Sequence, residues 1–194
     1  MLATILSAGG LFTGPAAASA TIEVATAAQL KAALGAAGPG DTIHLADGTY
    51  TGNFKATTPA TASARITLTG SPRAVPTVGG GYGLHPNGAS YWTVSGMTGA
   101  NYDDSWVDVK GDIALVQDNT GTRTSNDGYQ THTQQSGWGC GTVFRGNKST
   151  LTGATGSTQL AINVTNYSTA CRTTVYSSNT VTGGKGLTDI PVVP

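Results

Sequence analysis

Three short stretches of this chain repeat one pattern. Leu115–Asn119 (LVQDN), Val143–Asn147 (VFRGN) and Val175–Asn179 (VYSSN) each place an apolar pair first, then a polar step, then Asn. The three asparagines are 28 and 32 residues apart (147 − 119 and 179 − 147). Recurrence at such a period is the signature of a solenoid. One unit cannot bury its apolar face alone, whereas stacked units share a continuous core. Asn at equivalent turns can then stack into a hydrogen-bonded ladder. A β-sandwich is the alternative architecture, because periodicity does not count sheets.

Only one segment reads as a helix. In ATAAQLKAALGAAGPGD, Thr26 is placed to cap, Leu30, Ala33, Leu34 and Ala37 form an apolar stripe, and Gly38-Pro39 ends the run. This predicts a helix near residues 27–37, set to cover the exposed edge of the first coil. Everything after it reads as short strands and turns. With 194 residues the chain is long enough for one domain with a real core.

The first twenty residues have a different character. An apolar run from Leu2 to Phe12 precedes Pro15 and the small residues Ala18-Ser19-Ala20, the small-x-small pattern of a secretory cleavage site. The expectation is a signal peptide over 1–20, a single β-helix domain over 21–194, and an extracellular location. Two cysteines, Cys140 and Cys171, fit an oxidising compartment. Net charge is zero, with ten basic and ten acidic side chains. That argues against nucleic acid as a partner, and no apolar run is long enough to span a bilayer. The expected state is a monomer.

The stretch AAQLKAALGAAGPGDTIHLADGTYTGNF resembles the opening of secreted right-handed parallel β-helix proteins of the pectate-lyase-like superfamily. There a helix cap precedes a P-G-D-x-I-x-L-x-D-G-x-Y unit, matched here by Pro39 to Tyr50. GLHPNGASYWTVSGMT resembles the following coils, and NYDDSWVDVKGD onward resembles the last ones. The resemblance implies a right-handed parallel β-helix. The passage from SGMT to GANYDDSW is shorter than in that superfamily, as if central coils were missing. The superfamily hosts lyases, hydrolases, epimerases and inactive binding modules.

The octapeptide SWVDVKGD (105–112) holds the sharpest functional signal. On a strand, Val107 and Val109 share one face, and Trp106, Asp108 and Lys110 share the other. An offset of 22 stacks Gln130 on Asp108 and His132 on Lys110. An offset of 31 stacks Asn163 on His132 and also brings Cys140 to Cys171, which predicts a disulfide. The outward stripe is then Asp108, Lys110, Gln130, His132 and Asn163, while Val107, Val109, Leu160, Ile162 and Val164 point inward.

The chemistry that needs such groups is β-elimination in a uronate polymer. A base removes the proton α to the carboxylate and a cation stabilises the charge that develops. Asp104 to Gly111 resembles the strand of the chondroitinase B and alginate lyase branch on which a Lys is the base, and this assigns that role to Lys110. His132 is the competing base, since its ordinary pKa is near neutral. Asp108, Gln130, Asn163 and Trp106 are the expected substrate-binding residues, and Asp103 and Asp104 are weak candidates for holding Ca²⁺ with Asp108. Asp127-Gly128 reads as a turn without chemistry. The expected function is a secreted polysaccharide lyase acting on an acidic glycan, with a noncatalytic carbohydrate- or surface-binding β-helix as the alternative. A hydrolase lacks a convincing carboxylate pair, and ice binding lacks a long Thr-x-Thr ladder.

Overall fold

The computed structural model describes residues 18–78, 81–101, 104–133 and 138–194. Residues 1–17, most of the expected signal peptide, lie outside the described residues. The strands form three sheets, of eight, six and five strands, and every pairing between strands is parallel. The chain visits the three sheets in turn. Trp92–Ser95, Thr98–Asn101 and Val107–Val109 make one coil; Leu115–Gln117, Thr120–Thr122 and Tyr129–His132 lie on the next; Val143–Arg145, Lys148–Thr150 and Ile162–Thr165 on the one after. The fold is a right-handed parallel β-helix with an N-terminal capping helix.

Alternation along each strand puts one apolar residue per coil at the same inward position. Ile43, Leu68, Val94, Val116, Phe144 and Val175 stack in register from coil to coil, each 0–1% exposed. Each such burial stabilises the fold by roughly 1.5–3 kcal/mol. One apolar cluster runs from Val24 to Ile190.

The helix forms at Ala27–Ala36, where Thr26 Oγ1 accepts a hydrogen bond from the Gln29 N–H at 3.2 Å. Leu30, Ala33 and Leu34 are buried, and the helix packs on Thr21–Val24, Thr42–Leu45, Gly48–Thr51 and Phe54–Ala56. The predicted stripe is therefore the face that seals the first coil.

The asparagine ladder forms too. Asn147 Oδ1 accepts from the backbone and side-chain N–H groups of Asn119 at 3.2 and 3.1 Å, and Asn179 Oδ1 does the same for Asn147 at 3.1 and 2.9 Å. Each Asn amide also donates to a carbonyl of the preceding coil: Val94, Val116 and Phe144 in turn. Buried turn amides are thereby satisfied without water.

Cys140 and Cys171 form a disulfide with their Cα atoms 4.7 Å apart. The shared offset of 31 does not extend to His132, however. Gln130 pairs with Asn163 and His132 with Thr165, an offset of 33. The link from Tyr129–His132 to Val143–Arg145 has ten residues, and the link from Ile162–Thr165 to Thr174–Tyr176 has eight. The two-residue difference shifts the register between one sheet and the next, so one offset cannot hold for both.

Trp106 is a second correction. It was expected on the outward face with Asp108, but it is 2% exposed and lies in the core. It sits in a bend just before the Val107–Val109 strand, where strand alternation does not yet apply. Three glycines make room for it. A Cβ on Gly99 or Gly128 would come within 2.6 or 2.5 Å of the Trp106 side chain, and one on Gly121 would come closer still. Its Nε1–H donates to the Thr122 carbonyl at 2.9 Å, and its ring meets Tyr129 edge-on at 5.2 Å. Trp92 is fully buried too, and its Nε1–H donates to the Thr58 carbonyl.

Candidate functional site

The five-stranded sheet carries the site on its outer face. Backbone register aligns Lys55, His85, Asp108, Gln130 and Asn163 as one rung per coil. Beside this column stands Lys110, bridged to Asn87 and adjacent to His132. Val107, Val109, Ile162 and Val164 turn inward as expected and are buried, while Leu160 is only half-buried.

Asp108 is the centre. Its side chain has no exposed area, and three cations or potential cations surround it. Lys110 Nζ is 3.0 Å from Oδ2, His132 Nε2 is 3.4 Å from Oδ1, and His85 Nε2 is 3.9 Å from Oδ2. Lys110, His132 and His85 keep 16–20% of their side chains exposed, so the cluster is recessed but open. Lys110 also lies over the Tyr82 ring, 4.9 Å from its centroid, and Tyr82 meets His85 edge-on at 5.0 Å.

Burial sets the protonation states. It raises the Asp108 carboxyl to about 6, against the pull of Lys110. Burial alone would lower Lys110, but the hydrogen bond and charge of Asp108, with Tyr82, outweigh it and hold the amine above its ordinary value. Burial, then the Lys110 charge, lowers His132. Burial, Lys110, Lys55 and His132 bring His85 down to about 4. At neutral pH the site therefore presents an ammonium and two neutral imidazoles around a carboxylate.

Gln130 and Asn163 are occupied differently from what the sequence suggested. Gln130 Nε2 donates to Asp127 Oδ2 at 3.1 Å, and Asn163 Nδ2 donates to the same oxygen at 2.8 Å. Gln130 Oε1 lies 2.8 Å from His132 Nε2. Gln130 is 7% exposed, with both ends of its amide committed to protein groups. Asp127, a plain turn residue by sequence, is fully buried here, and burial raises it to about 6.

Sequence reasoning thus missed His85, Tyr82 and Asp127. His85 had a detectable signal: Leu84-His85-Pro86 has the same in-out-in alternation as Val107-Asp108-Val109, 23 residues upstream. Tyr82 and Asp127 lie outside regular strands and left no periodic trace. Of the expected Ca²⁺ set, Asp103 lies outside the described residues. Among the described residues, no group of three or more His, Cys, Asp or Glu side chains is arranged to hold a metal ion. Trp138 is half-buried and carries no contact with this cluster among those described.

No protein-family model and no curated protein matches this sequence. Solved structures do match. A mannuronic acid specific polysaccharide family 6 lyase from human gut microbiota is 13% identical and covers 87% of this chain, with a TM-score of 0.60. A PL6 family polysaccharide lyase from Pseudopedobacter saltans is 13% identical over 82% of the chain, with a TM-score of 0.52. An alginate lyase from Paenibacillus sp. str. FPU-7 is 21% identical over 90% of the chain, with a TM-score of 0.37. The present chain spans 51% and 46% of the lengths of the first two. Those first two likenesses establish the parallel β-helix fold.

Proposed function

We propose that this protein is a polysaccharide lyase that cleaves an acidic glycan by β-elimination. The observation that carries the reading is the convergence of Lys110 and His132, from successive coils, on the buried Asp108. The PL6 fold of the neighbours supports the class of reaction by analogy.

The electrostatics divide the roles. Asp108 keeps Lys110 an ammonium, which suits pairing with the substrate carboxylate and does not suit a base. His132, with its lowered pKa, is neutral at pH 7 and is the base. It takes the proton α to the carboxylate. That C–H electron pair becomes the new carbon–carbon double bond. The bond from the β carbon to the glycosidic oxygen breaks, and the departing oxygen keeps that pair and takes a proton from solvent. Lys110 stabilises the negative charge as it develops on the carboxylate.

The Cys140–Cys171 disulfide supports an oxidising, extracellular setting for this activity. The deciding experiment follows unsaturated uronate by ultraviolet absorbance on alginate, pectate and glycosaminoglycans, with and without Ca²⁺. Absorbance growth on at least one polymer is expected. Binding of an acidic polymer without any unsaturated product would overturn the lyase and favour a carbohydrate-binding module.

A further inference from the structure

We infer that Asp127 is a positioning residue, which acts through Gln130 to hold His132 in the tautomer protonated on Nε2. The inference rests on the lyase reading for its catalytic consequence, but not for its geometry.

The argument follows the donors and acceptors. Asp127 is enclosed, and its Oδ2 receives both Gln130 Nε2 and Asn163 Nδ2. An ionised carboxylate only accepts. It therefore fixes which end of the Gln130 amide faces it: the NH₂ group. The carbonyl Oε1 must then face His132, and it does so at 2.8 Å from Nε2. A carbonyl also only accepts, so Nε2 must bear the hydrogen. The second oxygen near Nε2, Asp108 Oδ1 at 3.4 Å, is an acceptor as well. A neutral imidazole has one N–H and one lone pair. With the proton on Nε2, the lone pair resides on Nδ1.

Position in the fold explains why this relay needs a residue off the strand. Gln130 and His132 are two apart on Tyr129–His132, so their side chains lie on one face. On that strand His132 itself meets the Gln130 carbonyl, and the partner that fixes the NH₂ end comes from elsewhere. Asp127 sits three residues earlier, on the turn that feeds the strand, and reaches the same face from its end. Asn163, one coil on, donates to the same carboxylate oxygen from the other side. Among the described residues, the charged and titratable groups around the relay include Asp108, Lys110 and His85 at the His132 end and Asp104 and Asp108 at the Asp127 end.

The test reads the His132 ring nitrogens by ¹⁵N NMR at pH 8, in wild type, Asp127→Ala, Asp127→Asn and Gln130→Met. Wild type is expected to be protonated on Nε2. Asp127→Ala frees the Gln130 amide to turn and should give a mixed tautomer population, with kcat lower by about 10–100-fold and KM little changed, the usual scale for an orienting partner. Asp127→Asn keeps an acceptor oxygen and should retain the wild-type tautomer, with kcat within about threefold. Gln130→Met tests the same relay should Asp127→Ala fail to fold, and should also mix the tautomers. Wild-type His132 protonated on Nδ1 would overturn the inference outright. An unchanged tautomer in Asp127→Ala or Gln130→Met would leave Asp108 alone as the orienting group and overturn the role of Asp127. Absence of any lyase product with the expected tautomers would sink the lyase reading and leave the relay intact.

Discussion

Lys110 Nζ rests 3.0 Å from Asp108 Oδ2, and Lys110 directly follows the short strand Val107–Val109 that carries Asp108. The carboxylate is fully enclosed, so it cannot be neutralised by solvent and depends on its neighbours. The pair therefore fixes a positive charge at the rim of the recess. Substitution of Lys110 by Ala should lower kcat/KM for uronate polymer by about 10²–10³-fold, the scale of losing one transition-state charge contact. Arg at this position should retain part of the rate. Initial rates of double-bond formation check both; an alanine variant as fast as wild type would remove Lys110 from the mechanism.

Asp127 and Asp108, both raised to about 6 from an ordinary value of 3.8, make stability depend on pH in an unusual direction. Between those two values the folded state holds a proton that the unfolded chain has released. The contribution is fully present below about pH 4 and is lost as pH rises through 6. His85, brought down to about 4, works oppositely: its contribution is present above its ordinary 6.5 and is lost as pH falls through 4. The two trends offset each other in the wild type. Asp127→Asn removes one of the two carboxyl contributions. The stability of wild type relative to this variant should fall between pH 4 and pH 7, by on the order of 3 kcal/mol, since a tenfold change in proton affinity is worth about 1.4 kcal/mol. Denaturant unfolding of both proteins across that range checks the sign; a difference that grows with pH would refute it.

Asn147 stands in the middle of the turn ladder, with neighbours on both sides. Asn147→Ala removes the Oδ1 that accepts from both Asn119 N–H groups and the Nδ2 that donates to the Val116 carbonyl and to Asn179 Oδ1. Loss of stability by about 2–4 kcal/mol is expected, since several buried polar groups lose partners at once. Asn179→Ala should cost less, because Asn179 makes ladder bonds to Asn147 alone, whereas Asn147 makes them to both Asn119 and Asn179. Chemical denaturation ranks the two, and equal values would argue against a cooperative ladder.

Gly121 gives way to the Trp106 indole. Gly121→Ala places a Cβ against Trp106 Cζ3, well inside van der Waals contact, so that the indole or the backbone must shift. Overpacking should destabilise by about 1–3 kcal/mol or more. Tryptophan fluorescence should shift as the indole is displaced. A fully stable variant with unchanged emission would mean that the ring is not seated as described.

Much of the solenoid is legible in the sequence because its signals are local. The Asn spacing, the in-out alternation of valines and the capped helix each depend on a few neighbouring residues, and each matches its place in the structure. The pairing of Asp108 with Gln130 is legible for the same reason. What fails depends on loop lengths and on bends. The sequence offset sets His132 on Asn163 rather than Thr165, because two residues of loop length separate the registers of adjacent sheets. It sets Trp106 outside, because alternation does not extend one residue past the strand into a bend. Asp127 carries no signal, because a turn Asp usually serves its own backbone, whereas this one turns its carboxylate toward two side chains on neighbouring strands.

The Cys140–Cys171 bond has a mechanical consequence. The strands Val143–Arg145, Lys148–Thr150 and Ile162–Thr165 all fall inside the covalent ring it closes. A force applied to the two ends of the chain bypasses that ring through the sulfurs. The 31-residue span can unfold, but it cannot lengthen the molecule. About 100 Å of contour, at roughly 3.3–3.6 Å per residue, stays hidden from the pull until a reductant releases it. In its oxidised form the solenoid therefore stretches as a shorter chain than its sequence spells out.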